Sequence, residues 1–445
     1  MNEQKSLFLI PDGPEIDNYE KKYKGKPRTI KPQRDQVEMM MFSIDQLIPA
    51  SHKARLVWKY VEKLDLSKLL LKIDSTEGSL GRPAIDPHIL LTLWLYATIE
   101  GIGQGRVIER YCSEHNAFKW ICGGVNVNYH TINDFRANNE ECLNELIIQS
   151  VAMLLFENLI TLEEISQDGI KVRAHAGASS FRRKDKLKIF QKIAKEHVEK
   201  LNEERLKTPS DVISRKKIVE NQKAVDRENR LNKAIEQLNK ITEQKKKVLK
   251  KQRKKLVKKK EEKIRVSTTD PESRVMKMGN GGYNPAYNVQ LATDVKTQVI
   301  VGMKVSNQEM DMGLISKMQE LVIHTFGTKP KRWLVDGGYV QHEDIDKIAQ
   351  INPECIIYMP PRNSKDPESY LPKDTDSHYV KEWRINMGKI ESKKIYKNRA
   401  ATSECVNANA RNRGLQQFFV RGISKVASNM SLFVIVHNMI RSWSL

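Results

Sequence analysis

From Arg182 to Arg265 the chain runs for 84 residues with no glycine and a single proline, Pro209, and carries 31 Lys and Arg against 13 Asp and Glu. A long stretch almost free of the two residues that break helices, and this rich in charge, reads as helix with a solvated face. From Leu231 the apolar residues recur three and four apart, at Leu231, Ala234, Leu238 and Ile241, and again at Val248. That spacing draws one apolar stripe along a helix. The one clear break is Lys207-Thr208-Pro209-Ser210, where Thr208 can cap a helix that Pro209 begins. Two helices folded back as a basic hairpin are expected over 182–265.

This segment holds a surplus of 18 positive charges out of a formal net charge of +21 for the chain, so the remaining segments nearly balance. An excess of that size points to a polyanionic partner, with nucleic acid the first candidate. The 445 residues are 39% hydrophobic, enough for two or three sizeable cores. The longest apolar runs, such as Val151–Phe156 and Leu432–Val436, fall far short of the roughly 20 residues of a membrane span. Leu7–Ile10 is cut off by Pro11-Asp12-Gly13, too soon for an export signal, so a cytoplasmic protein without membrane contact is expected. Cys112, Cys122, Cys142, Cys355 and Cys405 are odd in number and irregularly spaced, which fits buried, reduced thiols better than disulfides or zinc ligation.

Residues 38–160, after a tail at 1–37, read as helical. In Pro87–Glu100 one apolar face is made by Ile89, Leu90, Leu93, Trp94 and Ala97. Gly101-Ile102-Gly103-Gln104-Gly105 then ends the helix. With no strand before it and no Gly-Lys-Ser/Thr after it, this cluster is a helix stop rather than a phosphate cradle. A second helix is expected from Arg106, a loop over Gly123–Tyr129 and a third helix from near Thr131. Short helices with tight turns are consistent with a DNA-binding module of helix-turn-helix type, in which Arg106, Arg110, His130 and Arg136 are the candidate base contacts. Beyond the basic segment the apolar period changes to about two residues. Tyr287–Asp294 and Val299–Val305 read as a β-hairpin, followed by a helix Met312–Phe326, a strand Arg332–Val335, a helix Glu343–Ala349 and a strand Cys355–Met359. Alternating strands and helices make this part mixed α/β, and Ala400–Trp443 returns to helical spacing.

Two acidic residues stand at expected strand ends: Asp168 in Ile165-Ser166-Gln167-Asp168-Gly169, and Asp336 in Trp333-Leu334-Val335-Asp336-Gly337-Gly338-Tyr339. Each Asp-Gly taken singly is an ordinary turn signal. Taken together they can converge, and hard divalent cations prefer carboxylate oxygens on a stiff scaffold. A two-metal site for phosphoryl transfer needs at least one more carboxylate. Glu404 is the candidate, in the helical run Arg399–Glu404, with Arg411 seven residues later on the same helix face, where it could grip a phosphate. His175 is read as structural, since metal-activated water needs no histidine.

These residues resemble an insertion-sequence transposase of the DDE class. In the N-terminal half the resemblance is carried by Gly81-Arg82-Pro83, Phe118-Lys119-Trp120-Ile121-Cys122-Gly123-Gly124 and His130-Thr131-Ile132-Asn133-Asp134-Phe135-Arg136. In the core it is carried by Thr269-Asp270-Pro271-Glu272-Ser273-Arg274 and Gly282-Tyr283-Asn284-Pro285-Ala286-Tyr287-Asn288-Val289-Gln290. The resemblance implies a metal-binding triad of Asp168, Asp336 and Glu404, serving two Mg²⁺ or Mn²⁺ ions per active site. Of the family's Tyr-Arg-Glu-Lys signature, Tyr396, Arg399 and Glu404 are present, and the resemblance implies that Tyr396 and Arg399, with Arg411, contact DNA. Four residues rather than three separate the Arg from the Glu, and Arg411 stands where a Lys is usual, a change that alters how donors are presented.

The implied fold class is α/β: a ribonuclease H-like core with a mixed sheet, built from 161–181 and 266–445, interrupted by the basic insertion 182–265 and preceded by an all-α DNA-binding domain at 38–160. The implied reaction cleaves transposon ends and transfers a 3′ hydroxyl to target DNA. Its partners would be double-stranded DNA, both terminal inverted repeats and target, and a second copy of the chain, because two ends are joined in one event. Two rivals keep less of this: a transposase-derived DNA- or RNA-binding protein without catalysis, and a structural coiled coil built on 182–265.

Overall fold

The computed structural model describes residues 43–76, 82–207, 215–251 and 263–445. The 1–37 tail, Gly81, and the break at Thr208 and Pro209 lie outside the described residues, as does the side chain of Val248.

Among the described residues there are eight strands: β1 (Glu164–Arg173), β2 (Phe181–Arg182), β3 (Val266–Ser267), β4 (Arg274–Lys277), β5 (Tyr283–Asp294), β6 (Ile300–Ser306), β7 (Arg332–Leu334) and β8 (Ile356–Tyr358). The long strand β5, buried from Pro285 to Asp294, organises the main sheet. One edge takes β4 and then β6, and the other takes β1, all antiparallel. The far edge of β1 pairs in parallel with β7, and β7 with β8. The result is a mixed sheet in a mixed α/β protein. The expected strand and helix positions agree to within a few residues, except at two places.

First, β1 does not end at Asp168. It continues to Arg173, paired with β5 throughout. Second, Ala400–Trp443 is not one helical stretch. A π-helical turn spans Ala400–Glu404, an α-helix spans Cys405–Asn412, and the next α-helix begins only at Ile423. Between them Gly414 and Gly422 take φ of 80° and 86°, which helix cannot continue through. Gln417 instead bridges to Arg173 at the end of β1.

The helix Ile423–Ser442 is long and apolar enough to cross a membrane. Here it is the central core helix, packed against Pro87–Ile99, Tyr129–Asn138, Glu140–Phe156 and β6. Asn438 both donates to Ile300 O and accepts from Ile300 N at 2.8 Å, locking this helix to the start of β6. One continuous apolar core, from Ile48 to Met439, joins the N-terminal helices to the sheet. The glycine cluster explains part of that close fit. A Cβ at Gly103 would meet the Phe419 ring at 2.8 Å, and one at Gly414 would meet Gly101 O at 3.0 Å.

The basic segment forms the helices Lys184–Lys207 and Arg215–Lys251. They run antiparallel, since Gln191 bonds Asn232 while Asn202 bonds Asn221. Leu187, Ala194, Leu231, Ala234 and Leu238 form a small core of their own with Ile264 and Val266, and the β2–β3 pair closes the base. All five cysteines are free. Only Cys122 and Cys142 are buried, the other three being half-exposed.

Candidate active site

The parallel pairing of β1 with β7 ends at Ser166 opposite Leu334. Asp168 and Asp336 each lie two residues beyond that last pair, so strand alternation turns both toward the face that carries Ser166 and Leu334. Their convergence thus follows from register. Asp336 stands where β7 stops, accepting the Gly338 N–H at 2.8 Å as it caps a one-turn 3₁₀ helix. Asp168 is in mid-strand, and the glycine after it serves close approach rather than a turn. A Cβ at Gly169 would fall 2.5 Å from Gln290 Nε2 and 2.8 Å from Asp311 Oδ1, on the opposite face of the sheet.

Behind the acids, that opposite face holds a buried polar network. Gln167 donates to Gln290 Oε1 at 2.9 Å and accepts from Trp333 Nε1 at 3.1 Å, while the Tyr339 hydroxyl donates to Gln290 Oε1 at 2.5 Å. Tyr339 belongs to the Asp-Gly-Gly-Tyr run and Gln290 to the Asn-Val-Gln run, so this network braces the loop that carries Asp336 against β5.

Across the front face lies the chain from Ile390 to Asn412. The Ser403 and Ser166 hydroxyls meet at 2.6 Å, and Asn407 Nδ2 donates to Asp168 Oδ2 at 3.0 Å. Arg399 Nη2 sits 3.3 Å from Asp168 Oδ1 and 3.6 Å from Asp336 Oδ2, a single nitrogen shared by two carboxylates. Burial pushes the Asp168 pKa up, and the opposing pulls of Arg399 and the Gly169 N–H do not cancel it. For Arg399, burial works against the charge, but Asp168, Tyr396 and Asp336 outweigh it and raise its pKa. Tyr396, beside Arg399, is raised by burial.

Glu404 closes the π-helical turn. Asn407 and Arg411 follow it at three and seven residues, so all three share one helix face. Its carboxylate is exposed and, among the described residues, forms no ion pair; Arg411 is likewise exposed. No group of three or more His, Cys, Asp or Glu is gathered in metal-holding geometry among the described residues. The two aspartates nonetheless fit a cation, because a positively charged nitrogen already stands between them.

Residues 42–138 match a family described as a transposase domain, and residues 361–443 match one described as a transposase DDE domain. Together the two matches support an insertion-sequence transposase of the DDE class. Neither matched stretch contains Asp168 or Asp336, whereas the second contains Tyr396, Arg399, Glu404 and Arg411. Comparison with curated proteins and with solved structures gave no match.

Of the four basic candidates in the N-terminal helical part, three are exposed. The Arg106 guanidinium lies 4.7 Å over the Tyr129 ring, which stacks on His130 at 4.0 Å. These three make one basic and aromatic surface at the start of the Tyr129–Asn138 helix. Arg110 pairs with Glu114 at 3.5 Å. Arg136 is different: it is 3% exposed. It stacks 4.3 Å over Trp94 and donates to Gly103 O and Asn429 Oδ1, fastening the helical part to the C-terminal helix. His175 carries no contact with the acids; its carbonyl accepts from Arg421. Asn407, Ser166 and Ser403 were not singled out from the sequence, and their neutral side chains gave no signal that could have found them.

Proposed function

We propose that this transposase cleaves a phosphodiester at each end of its mobile element and joins the freed 3′ hydroxyl to target DNA, at a site formed by Asp168, Asp336 and Glu404. The observation that carries the reading is the convergence of Asp168 and Asp336 on one cationic nitrogen, with the Glu404 helix fastened beside them. The strand order, with β5 and β1 at the centre and β7 and β8 in parallel beyond them, supports a ribonuclease H-like core. Mg²⁺ or Mn²⁺, when held by these acids, would stabilise charge on the attacking and leaving oxygens of an in-line displacement.

The chain's own residues orient that chemistry. Asn407 and the Gly169 N–H fix the Asp168 carboxylate, and the 3₁₀ cap fixes Asp336. Glu404 completes the triad from the helix face it shares with Asn407, and Arg411, one turn past Asn407, presents its charge to a phosphate near the acids. Arg106, Tyr129 and His130, with Arg110 nearby, form the surface offered to the transposon end. The exposed lysines of the hairpin meet phosphates without reading sequence. Because two ends are joined in one event, the working species is a homodimer on DNA.

Cleavage of end-labelled transposon-end duplexes in Mg²⁺ tests this. Asp168→Asn, Asp336→Asn and Glu404→Gln are each expected to abolish cleavage while band shifts in EDTA persist. Cleavage by either aspartate variant at the wild-type rate would overturn the reading.

A further inference from the structure

We propose that the Arg399 guanidinium is a resident counter-cation of the Asp168–Asp336 pair, and that a divalent cation binds there only as Arg399 leaves. This rests on the reading of the two aspartates as cation-holding acids.

The contact geometry is the first reason. An arginine that serves as a structural tie presents two nitrogens to one carboxylate as a fork. Here a single nitrogen, Nη2, takes one oxygen from each of two carboxylates, at 3.3 and 3.6 Å. That is the placement of a bridging ion.

The second reason is how poorly the rest of the group is satisfied. The Arg399 side chain is only 12% exposed, and its Nε is buried with no hydrogen-bond partner among the described residues. A buried donor left unpaired is costly, so the contact with the acids offsets part of the cost of burying the guanidinium. Once they are taken by another cation, Tyr396 is the neighbour left beside it.

Charge and access supply the third. Two ionised aspartates carry two negative charges, of which Arg399 balances one and a divalent ion would balance both. Both cations cannot occupy the gap, since like charges a few ångströms apart repel strongly where water is scarce. Asp336 is 57% exposed while Asp168 is 20% exposed, so an incoming ion reaches the pair from the Asp336 side.

The test is Mn²⁺ titration of the full-length protein without DNA, followed by calorimetry and by the paramagnetic resonance signal of free Mn²⁺. Arg399→Gln is expected to bind Mn²⁺ roughly tenfold or more tightly than wild type, and Arg399→Lys, which keeps the charge, to stay within about threefold of it. Adding Asp336→Asn to Arg399→Gln is expected to erase the gain. Should Arg399→Gln lose its circular dichroism signature, Arg399→Met, which retains the packed stem, takes its place. Unchanged or weaker binding by the neutral variants, or equal tightening by the lysine variant, overturns the proposal. If wild-type binding is meanwhile abolished by Asp168→Asn, the acid-pair reading stands and only the counter-cation falls. If neither wild type nor the neutral variants bind Mn²⁺, both fall.

Discussion

Asn407 Nδ2 and Asp168 Oδ2 meet at 3.0 Å across 239 positions of chain, and this contact fixes how the helix bearing Glu404 lies on β1. Groups that orient metal-binding carboxylates commonly contribute 10- to 100-fold to activity, so Asn407→Ala is expected to slow end cleavage by about that factor with little change in end affinity. Asn407→Asp sets a second carboxylate against the first. The pair then shares protons, and the acidic limb of the pH–rate profile moves to higher pH. A pH profile identical to wild type would show that the contact has no role in orienting Asp168.

The raised pKa of Asp168 has a consequence for stability. Because the folded carboxyl holds its proton to higher pH than the unfolded one, stability falls as pH rises from the unfolded value of 3.8 through the folded value. At neutral pH the ionised group therefore costs stability. Asp168→Asn, which cannot titrate, is expected to remove this part of the decline in stability with rising pH while abolishing cleavage. Urea midpoints of both proteins from about pH 3.5 to 7 measure it, and parallel pH dependences would contradict the account.

Asp336 was legible from its residues alone, since a short apolar strand followed by Asp-Gly-Gly can only stop there. Asp168 was legible as an acid but not as a mid-strand residue, because Gly169 gives the same local signal whether it turns the chain or makes room for Gln290 and Asp311. The Arg399–Glu404 spacing of four intervening residues was visible. That it is taken up as a π-helical turn was not, because the turn depends on Thr402 and Ala401 meeting Val295 and Gln298 of the β5–β6 turn. Arg136 looked like a surface base beside His130, and only the fold shows that its helix face points at Trp94. Period and charge reveal which elements form; register and facing depend on partners more than a hundred residues away.

Gly169→Ala tests the close approach directly. The added methyl would press on Gln290 Nε2 and Asp311 Oδ1 inside a fully packed polar network. Overpacking of this kind costs about 1–3 kcal/mol. The urea midpoint should fall accordingly, and cleavage should fall with it because Tyr339 and the Asp336 loop rest on Gln290. A variant as stable as wild type would mean the network yields freely.

His437 gives the fold a limit in acid. Burial pushes its pKa down to about 4, with its Nε2 2.8 Å from Gln298 O at the β5–β6 turn. The folded ring stays neutral while the unfolded one protonates near 6.5, so its contribution is whole above that pH and is lost as pH falls toward 4. At about 1.4 kcal/mol per pKa unit the loss approaches 3 kcal/mol. His437→Gln should lower stability at pH 7 yet flatten its decline between pH 6.5 and 4.5, as read from urea midpoints at several pH values. Parallel declines in the two proteins would remove His437 from the acid response.

The hairpin's part in DNA binding is separable from base recognition by salt. Lys223, Lys233, Lys245 and Lys247 are exposed along the Arg215–Lys251 helix, and a lysine that neutralises a phosphate releases a counterion on binding. Each such contact adds about 0.9 to the slope of log affinity against log salt. Changing all four to Gln should therefore flatten the slope by up to about 3.6, equally for transposon-end and unrelated duplexes. Arg106→Ala, on the surface shared with Tyr129 and His130, should instead reduce the preference for the transposon end while moving the slope by one contact or less. Measuring both variants against both duplexes from 50 to 300 mM salt distinguishes the roles: a hairpin variant that loses only end preference, or an Arg106 variant that loses only salt dependence, would reverse the assignment.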